Sequence, residues 1–300
     1  MHSPLTPSSN LPPGLSVQSC WQLVVNRLTD TGDDCARQEA TWLLQHVTRQ
    51  SPPEFYSNLQ RTLSSSETSQ IQEHLSRRLR HEPVQYILES ACFYGRDYYV
   101  DSRVLIPRPE SELLIDTALN FMPNLPRENG VMWLADVGTG SGSIAVTLAY
   151  ELPDARILAI DRSGEALRVA RMNIATHAVG DRVHAVQGDL LSATRRGLSA
   201  IVANLPYVRS QDIPRLSADV SCFEPHEALD GGGDGLVLIL RLCDEAPDVL
   251  LAGGRLLLEV GEGHADELMQ HLSRNGIWDS VVTCADLHGM PRVVSARLPR

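Results

Sequence analysis

The sequence predicts an α/β protein in which a mostly parallel sheet follows a small helical domain. From residue 131 onward, short apolar strands alternate with amphipathic helices, as in parallel sheets covered by helices on both faces. Much of the first eighty residues shows the helical repeat of apolar side chains. Between these stretches, an aromatic-rich segment surrounds Gly95 and is typical of a β-hairpin.

Composition and charge exclude several classes of protein. Of the 300 residues, 43% are hydrophobic and 21% are charged, which is globular rather than disordered or fibrous. The 37 acidic residues outnumber the 26 basic ones, and a net charge of −11 argues against long nucleic acid as a partner. No apolar run approaches the ~20 residues that cross a bilayer. The first residues do not resemble a signal peptide, and the six scattered cysteines are typical of reduced thiols, so we expect a cytoplasmic protein without membrane partners.

The first part of the chain divides into three segments. Residues 1–15 are rich in proline and serine and predict a disordered tail. Residues 16–83 predict a helical domain, with apolar faces at residues 21–28, 40–47 and 71–79. Residues 84–104 contain the aromatic cluster and predict a β-hairpin linker.

Residues 105–300 predict the α/β domain. It opens with a stiff segment in which two prolines restrict the backbone around Arg108, followed by a helix at Leu113–Phe121. The predicted strands are Val131–Val137, Arg156–Ile160, Val183–Val186, Ala200–Ala203 and Arg255–Val260, and the predicted helices are Ser143–Glu151, Gly164–His177 and Leu236–Leu251.

The ends of the first three strands predict a nucleoside site. The first strand runs into a glycine-rich turn, Asp136-Val137-Gly138-Thr139-Gly140-Ser141-Gly142, where a ligand can approach bare backbone. Asp161 ends the second strand, where a carboxylate can accept ribose hydroxyls, and Asp189 follows the third, near an adenine edge. Singly, the turn could be only a turn and Asp161 a helix cap. Together they favour a nucleoside, because open α/β sheets bind ligands at the carboxyl ends of strands.

A fourth strand ends in Asn204-Leu205-Pro206-Tyr207, which in isolation could be an ordinary turn. Together with the glycine-rich turn, this tetrapeptide resembles the motifs of methyltransferases that use S-adenosylmethionine to modify a planar nitrogen. The sequence around these motifs resembles the peptide-chain release factor glutamine methyltransferases over roughly residues 21–294. The motifs that carry this resemblance are Glu82-Pro83-Val84-Gln85-Tyr86-Ile87, Ile106-Pro107-Arg108-Pro109-Glu110-Ser111-Glu112, Phe223-Glu224-Pro225, Ala228-Leu229-Asp230-Gly231-Gly232, Asp234-Gly235-Leu236 and Leu258-Glu259-Val260-Gly261.

The resemblance implies a Rossmann-like class I methyltransferase sheet, S-adenosyl-L-methionine as methyl donor, and no metal. The substrate would be the glutamine of a Gly-Gly-Gln loop in a release factor, docked by the N-terminal helical domain. The residues expected to bind the donor are Asp136, Gly138, Thr139, Gly140, Ser141, Gly142, Asp161, Asp189, Leu190 and Asn204. Those expected to bind the acceptor are Asn204, Leu205, Pro206, Tyr207 and Arg108, of which Asn204, Pro206 and Tyr207 are the expected catalytic residues.

The chemistry of an amide acceptor agrees with this motif. An amide nitrogen is a poor nucleophile, because its lone pair is delocalised into the carbonyl group. The Asn204 side-chain oxygen and the Leu205 carbonyl can accept both amide hydrogens, Pro206 stiffens the turn, and Tyr207 can lie against the flat amide. Positioning can lower such a barrier by ~7–11 kcal/mol, and no strong general base is evident.

Three features depart from the family, and three alternatives stay open. Leu205 replaces the usual proline, Leu198-Ser199-Ala200 replaces the usual Phe-Asp before the fourth strand, and Leu190 stands where some members carry an aromatic residue beside the adenine. Arg108 could be a solvated surface residue rather than a substrate contact. The alternatives are a glutamine methyltransferase acting on a ribosomal protein, an adenine-N6 methyltransferase acting on nucleic acid, and a non-catalytic nucleoside-binding scaffold.

Overall fold

A computed structural model describes residues 10–274 and 276–300. The chain forms two compact units, one containing residues up to 89 together with 218–223, and the other containing residues 90–217 and 224–300. The helices are α1 (Val17–Thr29), α2 (Ala36–Thr48), α3 (Pro52–Ser57), α4 (Ser65–Arg78), α5 (Val84–Leu88), α6 (Glu112–Phe121), α7 (Ser143–Glu151), α8 (Gly164–Thr176), α9 (Ala218–Phe223), α10 (Val237–Val249) and α11 (Ala265–Arg274). The strands are β1 (Ala91–Phe93), β2 (Arg96–Tyr98), β3 (Met132–Val137), β4 (Ala155–Asp161), β5 (Val183–Gln187), β6 (Leu198–Ala203), β7 (Leu250–Glu259), β8 (Ser280–Ala285) and β9 (Pro291–Arg297).

Unit one is a helical domain, α1–α5 with α9, built around one apolar cluster. Its helices form because apolar residues recur every three or four positions, as in the buried face Val17, Val24 and Leu28 of α1. Serine side chains begin two of the helices: Ser16 accepts from the backbone of α1, and Ser64 forms a capping box with Glu67 in α4.

Two segments differ from the sequence prediction. Residues 1–9 of the predicted tail lie outside the described residues, but Leu11 is buried and its N–H donates to Gln72, so the chain from residue 10 packs on unit one.

Within the predicted hairpin linker, Val84–Leu88 forms the short helix α5. Pro83 does not end the helical unit but precedes a new helix, which agrees with the preference of proline for helix starts. The hairpin itself, β1 with β2, follows at residues 91–98.

Unit two contains a sheet that, within the described residues, has seven strands in the order β5-β4-β3-β6-β7-β9-β8. The strands β3 to β7 are parallel, as predicted, whereas β9 and β8 add an antiparallel edge. The residues of β6 alternate between two apolar clusters, so helices cover both faces of the sheet.

The strand order places a ligand site between β3 and β6. β4 lies on one side of β3 and β6 lies on the other, so the order reverses there, and loops after such strands leave the sheet in opposite directions. Val137 pairs with Ala203, which brings the glycine-rich turn and Asn204 to the same level of the same edge.

Candidate active site

A buried carboxylate, that of Asp136, stabilises the glycine-rich turn by hydrogen bonds. Asp136 is fully buried, and its Oδ2 accepts hydrogen bonds from Thr139 Oγ1 at 2.6 Å and from the Ala145 N–H at 3.1 Å. Burial raises the pKa of Asp136 to about 7, although the Thr139 hydrogen bond opposes this shift. Asp136 and Thr139 therefore tie the turn to the first turn of α7.

Backbone geometry explains the glycines. Gly138, Gly140 and Gly142 all have positive φ angles, of 76°, 53° and 81°. A Cβ on Gly138 would also lie 2.9 Å from Leu205 Cδ2, so the turn and the acceptor motif pack directly against each other.

Asp161 connects the end of β4 to the same turn. Its Oδ2 accepts from the Gly140 N–H and its Oδ1 from the Ser163 N–H, both at 2.9 Å. Burial raises the pKa of Asp161, and the two backbone hydrogen bonds oppose the shift. Each carboxylate oxygen keeps a further lone pair with which it can accept from a ligand.

A cavity lies at this edge of the sheet. Among the described residues, the predicted donor-binding residues that line it are Gly138, Gly140, Asp161, Asp189, Leu190 and Asn204. The predicted residues Asp136, Thr139, Ser141 and Gly142 do not line it; they support the turn instead, and the Ser141 carbonyl accepts from Asn173. Further lining residues that sequence reasoning missed are Arg103, Val104, Leu105, Pro225, Glu227, Ala228 and Leu238.

The carboxylate that follows the third strand is already paired with an arginine. Asp189 is exposed, and its carboxylate pairs with Arg241 at 2.8 Å. Leu190 is buried in the cavity wall with a φ of 48°.

The acceptor motif follows β6 as an irregular segment. Asn204, Leu205 and Pro206 line the cavity. Tyr207 is half-buried outside the lining set, and its ring packs over Gly261, where a Cβ would be 2.8 Å from Tyr207 Cδ2. Burial raises the pKa of Tyr207 to about 12, so the phenol is neutral near pH 7.

Arg108 does not point freely into solution. Its guanidinium pairs with Glu224, and the Glu224 side chain is almost completely buried. The predicted surface-arginine alternative therefore does not describe its surroundings.

Two further residues, Ser111 and Glu259, lie next to the Asn204 side chain. Asn204 Nδ2 donates to Ser111 Oγ at 2.9 Å. Glu259 lies at the end of β7, beside Asn204 at the end of β6. Burial raises the pKa of Glu259 to about 7, and the polar side chain of Ser111 opposes this shift. Sequence reasoning missed this pair; the available signal was a charged residue at the end of the apolar strand Leu256–Leu258.

The described residues contain neither a metal-binding cluster nor a membrane-spanning helix. No group of three or more metal-ligating side chains occurs within residues 10–274 and 276–300. In the same part of the chain, no helix has both the length and the apolar character needed to span a bilayer.

Two family models match the chain. The PrmC N-terminal domain matches residues 20–88, and the methyltransferase small domain matches residues 111–241. A crystal structure of a methyltransferase from Pyrococcus furiosus covers 70% of this chain and 92% of its own, with a TM-score of 0.50 and 17% identity. At this identity the likeness concerns the fold alone, and it agrees with the class I methyltransferase fold predicted from the sequence.

Full-length relatives decide the family. The release factor glutamine methyltransferase of Geobacter sulfurreducens is 35% identical over 90% of this chain and 93% of its own length. The release factor glutamine methyltransferase of Koribacter versatilis is 41% identical over 80% of this chain and 83% of its own length. The prediction of a methyltransferase enzyme is thereby confirmed. The chain belongs to the release factor glutamine methyltransferase family.

Proposed function

We propose that this chain transfers a methyl group from S-adenosyl-L-methionine to the N5 nitrogen of the glutamine in the Gly-Gly-Gln loop of a peptide-chain release factor, in the cytoplasm. The observation that carries the proposal is that Asn204 lines the same cavity as Gly138 and Asp161. A donor held by the turn and an amide held by Asn204 would therefore be neighbours. The names of the relatives supply the class of acceptor.

The residues of the cavity fit such a donor. Bare backbone at Gly138 and Gly140 suits close approach of its amino-acid end, and the half-buried carboxylate of Asp161 suits ribose hydroxyls. Leu190 and Leu238 supply apolar walls for a flat base. When bound, the donor supplies a methyl group activated by a positively charged sulfur. Asp136 and Thr139 would act by holding the turn.

On the acceptor side, the chain would orient the amide rather than ionise it. The Asn204 oxygen and the Leu205 carbonyl would each accept one amide hydrogen, which fixes the plane of the amide and aims its nitrogen at the donor. Pro206 restricts the turn, and Tyr207 packs beside it. Most of the acceleration would come from this positioning. No metal is part of the proposal. Docking of the release factor is assigned to the N-terminal helical unit.

The direct test is intact-mass analysis of a release factor incubated with the enzyme and S-adenosylmethionine. We expect one added methyl group, and none on a release factor whose Gly-Gly-Gln glutamine is replaced by glutamate. Methylation of a ribosomal protein or of RNA, with the release factor unmodified, would overturn the proposal in favour of an alternative acceptor.

Asn204→Ala separates binding from transfer. We expect the dissociation constant of S-adenosylmethionine, measured by calorimetry, to change by less than about threefold, while methyl transfer falls on the order of a hundredfold. Asn124→Ala, at an exposed asparagine outside the cavity lining, is the matched control and should retain transfer. Full activity of Asn204→Ala would remove the acceptor assignment.

A further inference from the structure

The Asn204 side chain is connected to a buried acid. Glu259 is 3% exposed and follows Leu258, which pairs with Ala203 immediately before Asn204, so Glu259 and Asn204 lie side by side at the ends of adjacent strands. Asn204 Nδ2 also donates to Ser111 Oγ at 2.9 Å. The Oε2 atom of Glu259 has no hydrogen-bond partner among the described residues, so this buried acid is incompletely compensated. Such a group is costly unless the site uses it.

We propose that Glu259 and Ser111 are positioning residues that set the orientation of the Asn204 amide and thereby present its oxygen to the acceptor. The inference rests on the proposed function, because orientation matters only if Asn204 meets a substrate amide. Neither residue is assigned contact with the substrate.

The donor and acceptor inventory carries the argument. A carboxamide has one donor end and one acceptor end, and the two differ only by a rotation of the group. A carboxylate can only accept, so Glu259 attracts the Nδ2 end, and Ser111 Oγ accepts from the same end. The Oδ1 end is then left for the cavity that Asn204 lines. The reverse orientation would place a donor where the substrate amide needs an acceptor.

The charge state of Glu259 controls this preference. Burial raises its pKa to about 7, the polar side chains of Ser111 and Asn204 and the charge of Arg292 act in the opposite direction, and the charge of Glu110 adds to the rise. Tyr207, on which the charge of Glu259 also acts, stays neutral over this range, because burial raises its pKa to about 12. Protonated Glu259 becomes a donor and no longer selects the Nδ2 end.

The test reads the Asn204 amide directly and needs no substrate. In the full-length protein labelled with ¹⁵N-asparagine, the Asn204 side-chain signal is identified by its loss in Asn204→Ala. We expect this signal to shift with a midpoint near pH 7 in the wild type, and the shift to vanish in Glu259→Gln. Ser111→Ala should move the signal, whereas Ser111→Thr, which keeps the hydroxyl, should restore it. An Asn204 signal that ignores pH, or titrates equally in Glu259→Gln, would overturn the proposal.

A matched control and an activity assay complete the design. Ser199→Ala removes a fully buried hydroxyl on β6 that has no hydrogen-bond partner within residues 10–274 and 276–300, and it should leave the Asn204 titration intact. In the release factor assay, Glu259→Gln should lower kcat about tenfold, the equivalent of one hydrogen bond, with donor affinity unchanged. An inactive wild type would contradict the proposed function, while the Asn204 titration would still decide the positioning role.

Discussion

The Arg108 guanidinium lies 2.5 Å from the Glu224 carboxylate, whose side chain is only 1% exposed. The pair joins the stiff segment before α6 to the residues that precede the cavity-lining Pro225. Sequence reasoning predicted Arg108 as a substrate contact, and that role stays a prediction. The observed partner gives Arg108 a structural role in unit two.

We therefore expect Arg108→Ala to destabilise the protein by about 2 kcal/mol, because it removes the cation that compensates a buried carboxylate. Breaking a buried pair costs ~3–5 kcal/mol, and the partial exposure of Arg108 reduces this. Urea unfolding measures the loss, and Arg108→Ala with Glu224→Gln should recover most of it. Arg215→Ala, which breaks an exposed pair with Asp212, is the control and should stay within about 0.5 kcal/mol. Unchanged stability of Arg108→Ala, with a raised KM for the release factor, would favour the substrate role.

Gly138 and Leu205 are expected to be energetically coupled. Gly138→Ala meets both a positive φ and the Leu205 methyl group, so we expect a loss of at least ~1–2 kcal/mol. Adding Leu205→Ala removes the clash, and the double variant should be more stable than the sum of the single losses by about 1 kcal/mol. At Gly140 a Cβ would meet only the Gly138 carbonyl at 4.0 Å, so Gly140→Ala should show no coupling to Leu205→Ala. Equal coupling at both glycines would contradict the assignment.

Asp161 and Asp189 should differ in their effect on donor affinity. Asp161→Ala is expected to weaken S-adenosylmethionine binding by about 10–100-fold, because charged hydrogen bonds contribute ~1.5–3 kcal/mol each. Asp189→Ala should change affinity by less than about threefold, since its exposed carboxylate is paired with Arg241. Calorimetry compares the two dissociation constants. A larger effect at Asp189 would reverse the assignment of the two carboxylates.

Glu259 should make stability depend on pH. Its pKa is raised from 4.5 to about 7 in the folded protein, so the folded state binds the proton more tightly than the unfolded state. The free energy of unfolding of the wild type therefore decreases as pH rises from about 4.5 to about 7. Glu259→Gln should not show this decrease, because glutamine does not titrate. Relative to wild type, the variant should gain up to about 3 kcal/mol between about pH 4 and about pH 8. Urea unfolding at both pH values measures the gain, and a constant difference would show that folding does not shift the pKa of Glu259.

The strands that carry the cavity could be predicted because their apolar runs are short and end in distinctive residues. β3 and β6 end where predicted, at Val137 and Ala203. The antiparallel strands β8 and β9 were not predicted; β8 lies at the sheet edge, and its burial shows no clear alternation.

The residues behind Asn204 could not be predicted from local patterns. Ser111 and Glu259 reach Asn204 only because β7 pairs with β6 and the segment before α6 packs beside them. Strand order is a long-range property, and no periodicity encodes it. Likewise, the ion pairs of Arg108 and Asp189 join residues 116 and 52 positions apart along the chain.

The six residues of α9 belong to unit one although their neighbours on both sides belong to unit two. Burial lowers the pKa of Arg78 in unit one, but nearby carboxylates raise it overall. Asp219 of α9 is one of these carboxylates. The polypeptide thus passes between the units three times, near residues 89, 217 and 223. A fragment ending at residue 89 would lack part of its own unit, so cleavage there would not release an intact helical module, and a faithful separation of the units requires grafting α9 back by a new connection.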